Sequence, residues 1–224
     1  MREFAGPEEL AEALAAFVAD ALRARLESGP AVIALSGGQT PMRFFRALSE
    51  QALDWARVTV TLVDDRFVPE SSERSNAAML RTHLLRGPAA AAPFLPLVGD
   101  AATVEEAALA AERGISALPL PFAAVVLGMG LDGHTASFFP GGDRLEAALE
   151  GAALVETMRA PGAGEPRITL TLPVMLAAGK VALHIEGAAK RAVLDQALRP
   201  GPVGEMPVRA VLARAPAPEV FWSG

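Results

Sequence analysis

Four short apolar runs constrain this chain more than any other feature: "AVIAL" (residues 31–35), "VTVTLV" (58–63), "AAVVL" (123–127) and "VALHI" (181–185). Each is too short for a stable helix, and each reads as a strand buried on both faces. The segments between them carry helical spacing instead. In residues 7–27, Leu10, Leu14, Phe17, Val18 and Leu22 recur at helical intervals, and Pro7 suits the first helical position. "MRFFRAL", "SNAAMLRTHLL", "ATVEEAALAAERGISAL" and "EGAAKRAVLDQALR" read as further helices, the third with Thr103 as its cap. Buried strands alternating with helices imply an α/β fold: a mostly parallel sheet flanked by helices. "RITLTL" (167–172) and "VRAVLA" (208–213) are expected to add strands, and "PVMLAAG" a short helix. The Ala/Pro segment 87–96 and the Gly/Pro segment 161–166 read as loops.

The 224 residues are 51% apolar, enough for a full core in a single α/β domain over 1–224. No apolar run reaches ~18 residues, and "MREFAGPEELAEAL" lacks the apolar core of a secretory signal. A cytoplasmic chain with no membrane partner is therefore expected. The absence of Cys excludes a disulfide framework, a thiolate metal site and a Cys nucleophile. A net charge of −6 speaks against a nucleic-acid partner but not against a small anion held by a local cluster. Basic residues are eighteen Arg against two Lys, Asn occurs once, at Asn76, and His three times. Residues that survive so biased a composition, such as Lys190 and His134, rank higher as candidates for chemistry.

In an open α/β sheet, ligands bind beyond the carboxyl ends of the strands. Four of those ends carry unusual residues: Ser36–Pro41, Asp64–Pro69, Gly128–His134 and Glu186–Lys190. They are expected to converge on one site. In "LSGGQTP", a glycine turn leads into a helix. Its amides and the Thr40 hydroxyl could hold a phosphate, or Thr40 could simply cap the helix. "GMGLDG" matches G-x-G-x-x-G, but "HTASFFPGG" leaves room for only about two helical turns, which opposes dinucleotide binding. Asp132 and His134, two apart, could form a proton-transfer pair, or could close a turn and cap a helix. A metal site lacks further ligands at suitable spacing, so no metal is expected. His184, inside an apolar run, reads as a satisfied core residue, and His83 as partly exposed. Asp64 and Asp65 end a strand, so one should face the site and the other the structure. Arg66 and Arg74 could clamp an anion or pair on the surface. Lys190 stands in the first turn of a helix, where the dipole disfavours a cation unless an anion lies beside it. Without a G-x-S-x-G elbow, water is the expected nucleophile of any hydrolysis.

Taken in order, "SGGQTP", "VDDRFVP" with "SERSN", "GMGLDGHTASFFPG", "PRITLTLP" and "GAAKRAVL" resemble the 6-phosphogluconolactonase family, from residue 36 to about 194. The resemblance implies a modified Rossmann-like, glucosamine-6-phosphate deaminase-like fold. It also implies hydrolysis of 6-phospho-D-glucono-1,5-lactone in the oxidative pentose phosphate pathway, with no cofactor. It places the catalytic His on His134, with Asp132 as its support. The phosphate would lie on Ser36, Gly37, Gly38, Gln39 and Thr40. Arg66, Arg167 and Lys190 would be its cationic partners. In the mechanism expected on this basis, Asp64 and Arg66 border the sugar, and the backbone N–H groups of the Gly128–Gly133 loop, with Gly130 and Gly133 as binding residues, stabilise the oxyanion. The family usually writes "DER" where this chain has Asp64-Asp65-Arg66, which leaves the contact made by the shorter Asp65 open.

Two other readings share this fold. Glucosamine-6-phosphate deaminases also carry a DGH, but follow it with Phe-Asn-Glu-Pro, whose Glu supports the catalytic His. Here the stretch is "SFFP", with Phe139 at the Glu position. A non-catalytic sugar-phosphate sensor would have no need of His134. The expected partner is a small sugar phosphate, and the expected state a monomer or a weak homodimer.

Overall fold

The apolar runs form the centre of a seven-stranded sheet. The computed structural model describes residues 1–215 and 217–224. Strands β1 (Arg2–Phe4), β2 (Ala31–Leu35) and β3 (Val58–Leu62) belong to this sheet. So do β5 (Phe94–Leu95), β6 (Ala124–Leu127), β9 (Lys180–Glu186) and β10 (Glu219–Ser223). Their order is β1-β10-β9-β6-β2-β3-β5, and every pairing is parallel. All residues of β2 and β6 are buried, as continuous apolar runs require. A second, three-stranded antiparallel sheet joins β4 (Asp64–Arg66), β8 (Arg167–Leu170) and β7 (Val155–Met158) in the order β4-β8-β7.

Helix α1 (Pro7–Leu26) has Pro7 at its start and acidic Glu8 and Glu9 in its first turn, both suited to a helix N-terminus. It packs on α2 (Met42–Ser49) and lies over β2, β6, β9 and β10. Helix α3 (Asn76–His83) is capped by Ser75, which accepts the Ala78 N–H at 3.2 Å. Thr103 caps α4 (Val104–Ser116) in the same way through the Glu106 N–H. Helices α5 (Leu145–Glu150), α6 (Leu172–Leu176), α7 (Ala188–Ala197) and α8 (Val208–Leu212) complete the set. Among the described residues, no helix is long and apolar enough to cross a membrane.

The structure corrects two expectations and removes one alternative, a short helix capped by His134. The expected strand 208–213 is instead helix α8 (Val208–Leu212): Pro207 opens the segment, and Val208 and Val211, three apart, are its buried residues, which is helical spacing. Residues 134–142 form no helix; Thr135 and Phe138 instead make an isolated antiparallel bridge. Segment 87–96 holds a 3₁₀ turn (Gly87–Ala91) and the short strand β5.

The two acids that close the second central strand separate as their alternation requires. Asp65 is 1% exposed, and its carboxylate accepts the backbone N–H groups of Arg66 (2.8 Å), Asn76 (2.8 Å) and Ala77 (3.1 Å). It thereby ties β4 to the start of α3, so the shorter acid makes the structural contact. Burial pushes its carboxyl from 3.8 up to about 6, against the lowering effect of those N–H groups. The folded state therefore binds a proton that the unfolded chain has released between those values, so stability falls as pH rises from about 4 to about 6. Asp65→Asn removes this titration, and its amide cannot accept the Ala77 N–H. The stability of wild type relative to Asp65→Asn, from urea unfolding, should be greatest near pH 4 and decline toward pH 6. A difference that stays flat or grows with pH contradicts this account.

Candidate active site

The carboxyl ends of β2, β6 and β9, together with β4 and β8, surround a cavity of about 220 Å³. Its wall includes Ser36 to Pro41, Asp64, Arg66, Gly128 to Gly130, His134, Arg167 and Lys190. Three of the four sequence patches thus face the cavity directly. The fourth, Glu186–Lys190, reaches it through Lys190. Asp132 and Gly133 stand behind His134 and are not part of the wall.

The first wall is the turn between β2 and α2. Ser36 links it to the neighbouring loop: its N–H donates to the Val126 carbonyl at 2.9 Å, and its Oγ accepts the Gly128 N–H at 3.1 Å. Among the described residues, the amides of Gly37, Gly38, Gln39 and Thr40 donate to no protein acceptor. Unspent donors at a helix start form an anion-binding surface. Gly37 is fixed by packing, because a Cβ there would overlap the Asn76 carboxamide. Asn76 is 3% exposed and donates its Nδ2 to the Asp64 carbonyl at 2.9 Å. The rarity of Asn marked it, but its role, holding the turn against β4, exists only in three dimensions.

The second wall carries the ionisable pair. His134 Nδ1 lies 2.6 Å from Asp132 Oδ1, which also accepts the His134 backbone N–H at 3.1 Å. This fixes the ring and leaves Nε2 as its free nitrogen. Partial burial raises the Asp132 carboxyl, but the His134 amide, charge and ring together outweigh it, and the net shift is downward. Asp132 therefore stays ionised in the neutral range and holds a proton on Nδ1. The loop closes on itself through Gly130 N–H to the His134 carbonyl (2.8 Å) and Gly133 N–H to the Gly130 carbonyl (3.1 Å). Phe139 packs against the His134 ring, centroids 4.4 Å apart and planes at 31°.

The remaining wall is cationic with one acid. Asp64 is 6% exposed and accepts the Ser137 hydroxyl at 2.6 Å. Arg167, also 6% exposed, lies 4.0 Å from Asp64, donates to the Ala163 carbonyl at 2.6 Å and lies over the Phe139 ring at 5.2 Å. Arg66 donates to the Arg74 carbonyl at 2.6 Å, while Arg74 pairs on the surface with Glu165. Lys190 has no ion-pair partner within 4.0 Å among the described residues. Burial holds its ammonium below the usual lysine range, against the opposing effect of Glu186. Among the described residues, no three His, Cys, Asp or Glu side chains gather as a metal site.

Sequence reasoning missed several wall or supporting residues. Ser137 and Ala136 had no distinguishing pattern. His184 was read as a satisfied core residue; it is buried, but it lines the cavity, and its Nδ1 has no partner among the described residues. His83 is partly exposed, as expected.

Residues 5–222 match the model of the glucosamine-6-phosphate isomerases/6-phosphogluconolactonase family. The chain belongs to this family. A 6-phosphogluconolactonase of Rhizobium meliloti is 51% identical over 227 residues, covering 100% of this chain and 98% of the relative. The crystal structure of a 6-phosphogluconolactonase from Shewanella baltica superposes with a TM-score of 0.97 at 40% identity, covering 100% of this chain and 97% of that one. A monomeric glucosamine-6-phosphate deaminase shares the fold, with a TM-score of 0.78 at 19% identity over 99% of this chain and 96% of that one.

The family loop leaves no space at Gly130, where a Cβ would overlap both the His134 ring and Asp132 Oδ1. Gly130→Ala should therefore break the Asp132–His134 bond without unfolding the chain. Histidine ¹⁵N spectra check this: wild type should show His134 protonated at Nδ1, and the variant a mixture of tautomers. An unchanged tautomer in Gly130→Ala would mean that the packing does not set the ring.

Proposed function

We propose that this chain hydrolyses 6-phospho-D-glucono-1,5-lactone to 6-phosphogluconate, a step of the oxidative pentose phosphate pathway in the cytoplasm. Supporting it are the full-length likeness to 6-phosphogluconolactonases and one feature of the site. His134 has Nδ1 held by Asp132 and Nε2 left free, and Phe139 packs against its ring. A ring-opening deaminase of this fold would bring a Glu to that place. A phenyl ring there suits a reaction that needs one imidazole to move one proton out and back.

In this reading the 6-phosphate sits on the Gly37–Thr40 turn, where the unspent amides, Arg167 and Lys190 meet its charge. The lactone carbonyl then lies beside His134. Nε2 takes a proton from water as the water oxygen bonds to C1. The C1–ring oxygen bond then breaks, and the imidazolium returns the proton to the departing oxygen. Asp132 keeps the ring in the tautomer whose Nε2 is basic and supports its charged form. Asp64 and Arg66 border the sugar hydroxyls. The amides of Gly128, Gly130, Gly133 and His134 already have acceptors within the protein. The oxyanion donor from this loop is accordingly assigned to Met129, whose residue lines the cavity.

The test is a coupled assay in which glucose 6-phosphate and its dehydrogenase generate the lactone, and acid release is followed at slightly acidic pH. His134→Ala should lower kcat by ~10² to 10⁴, the usual worth of a general base. A kcat near wild type, after subtraction of spontaneous hydrolysis, would remove His134 from the mechanism. Lys190→Ala should raise KM with a smaller effect on kcat. Both constants unchanged would place Lys190 outside the substrate site.

A further inference from the structure

The cavity wall contains a second imidazole that the mechanism above does not use. His184 of β9 is 3% exposed, and its Nε2 lies 3.0 Å from Glu186 Oε1. Its Nδ1 is buried and has no partner among the described residues. A buried ring nitrogen left unpaired calls for an explanation. Glu186 is not on the wall, so with Nε2 committed to it, Nδ1 is the polar atom left for the cavity. The position of the ring is equally specific. Phe44 meets it edge-on at 6.3 Å, and Phe44 lies in the first turn of α2, just after the Gly37–Thr40 turn. Lys190 follows on the first turn of α7. His184 therefore stands at the end of the cavity where the unspent amides and the unpaired ammonium meet.

We propose that His184 is a further phosphate-binding residue, an imidazolium that donates Nε2–H to Glu186 and Nδ1–H to a phosphate oxygen. The inference rests on the placement of the phosphate in the preceding section. Neutral imidazole would set a lone pair against one of those anions, so the arrival of the phosphate draws a proton onto the ring. The charged groups around the ring are few. On its own strand there is Glu186. From α2, Arg43 reaches the other oxygen of Glu186 at 3.9 Å, and Glu8 of α1 holds Arg43 at 2.7 Å. From α7, Lys190 shares the cavity wall. The register partner on β10 is Phe221, and on β6 the register ends at Leu127, which pairs with the preceding Leu183; neither Phe221 nor Leu127 is charged. Glu186 and the phosphate would thus flank the imidazolium on either side, with Lys190 limiting the field by its own charge.

The experiment uses the full chain with ¹⁵N-labelled histidine, titrated with 6-phosphogluconate and, separately, with gluconate. At saturation with 6-phosphogluconate near pH 7, both His184 nitrogens should move to protonated values, and calorimetry in two buffers should show proton uptake. Gluconate should produce neither effect. His184→Gln, checked for an unchanged melting profile, should bind 6-phosphogluconate roughly tenfold more weakly or worse, the scale of one charge-assisted hydrogen bond. It should also lose that proton uptake. A His184 that stays neutral in the saturated wild-type complex overturns the proposal, with no variant needed. So does equal affinity in His184→Gln. Lactone hydrolysis with a neutral His184 would leave the proposed function standing and remove only this residue. A protonated His184 without any hydrolysis would do the reverse. No binding of 6-phosphogluconate at all would overturn the phosphate placement itself.

Discussion

The site depends on the pairing of β2 with β6. These strands are adjacent through Ile33–Ala124, Ala34–Val125 and Leu35–Val126, although about 90 residues separate them in sequence. From β2 the sheet grows through β3 to β5, and from β6 it grows the other way through β9 to β10 and β1. The two loops that leave these strands therefore diverge and open a crevice at the switch point of the sheet. One loop carries the unspent amides and the other carries His134. The Ser36 hydroxyl, accepting the Gly128 N–H, fixes one against the other. A parallel sheet buried on both faces gives these loop origins little freedom, which suits a site that must hold two ends of one ligand at a set distance.

Around that crevice, buried charge is kept in place by short polar contacts. Asp65 holds β4 to α3, Asp64 takes the Ser137 hydroxyl, and Asn76 joins the Asp64 carbonyl to the Gly37 turn. These contacts couple the small antiparallel sheet to the main one, so Arg66 and Arg167 reach the same cavity as Lys190. Arg167 and His134 both pack on Phe139. The phenyl ring excludes water from one side of the imidazole. It also holds a guanidinium near the place where negative charge is expected.

The sequence made the central sheet legible because strands buried on both faces are continuous apolar runs; β2 spans the five residues that the run predicts. It misled at "VRAVLA", where β-branched residues outweighed the spacing of Val208 and Val211 and the preceding proline. Strands β1, β4 and β10 were not legible: "REF" and "DDR" have no apolar run and that of "EVFWS" is only three residues, so pairing with distant neighbours is what makes them strands. In the site, the glycine turn, the Asp132–His134 pair and Lys190 could be read because each breaks a local rule that only a ligand or a special backbone excuses. His184 could not, because a lone histidine in a buried strand looks the same whether its second nitrogen is satisfied or not. The packing of Asn76 on Gly37 and of Phe139 on His134 joins residues whose contact no local pattern encodes.

The central claim is that one cavity holds the phosphate at the β2 turn and the reacting carbon at His134. A crystal structure with 6-phosphogluconate bound tests it most directly. The account predicts phosphate oxygens on the amides of the Gly37–Thr40 turn beside Lys190, with the C1 carboxylate within hydrogen-bonding reach of His134 Nε2. A ligand bound the other way round, with its phosphate against His134, or one seated outside this cavity, would contradict it.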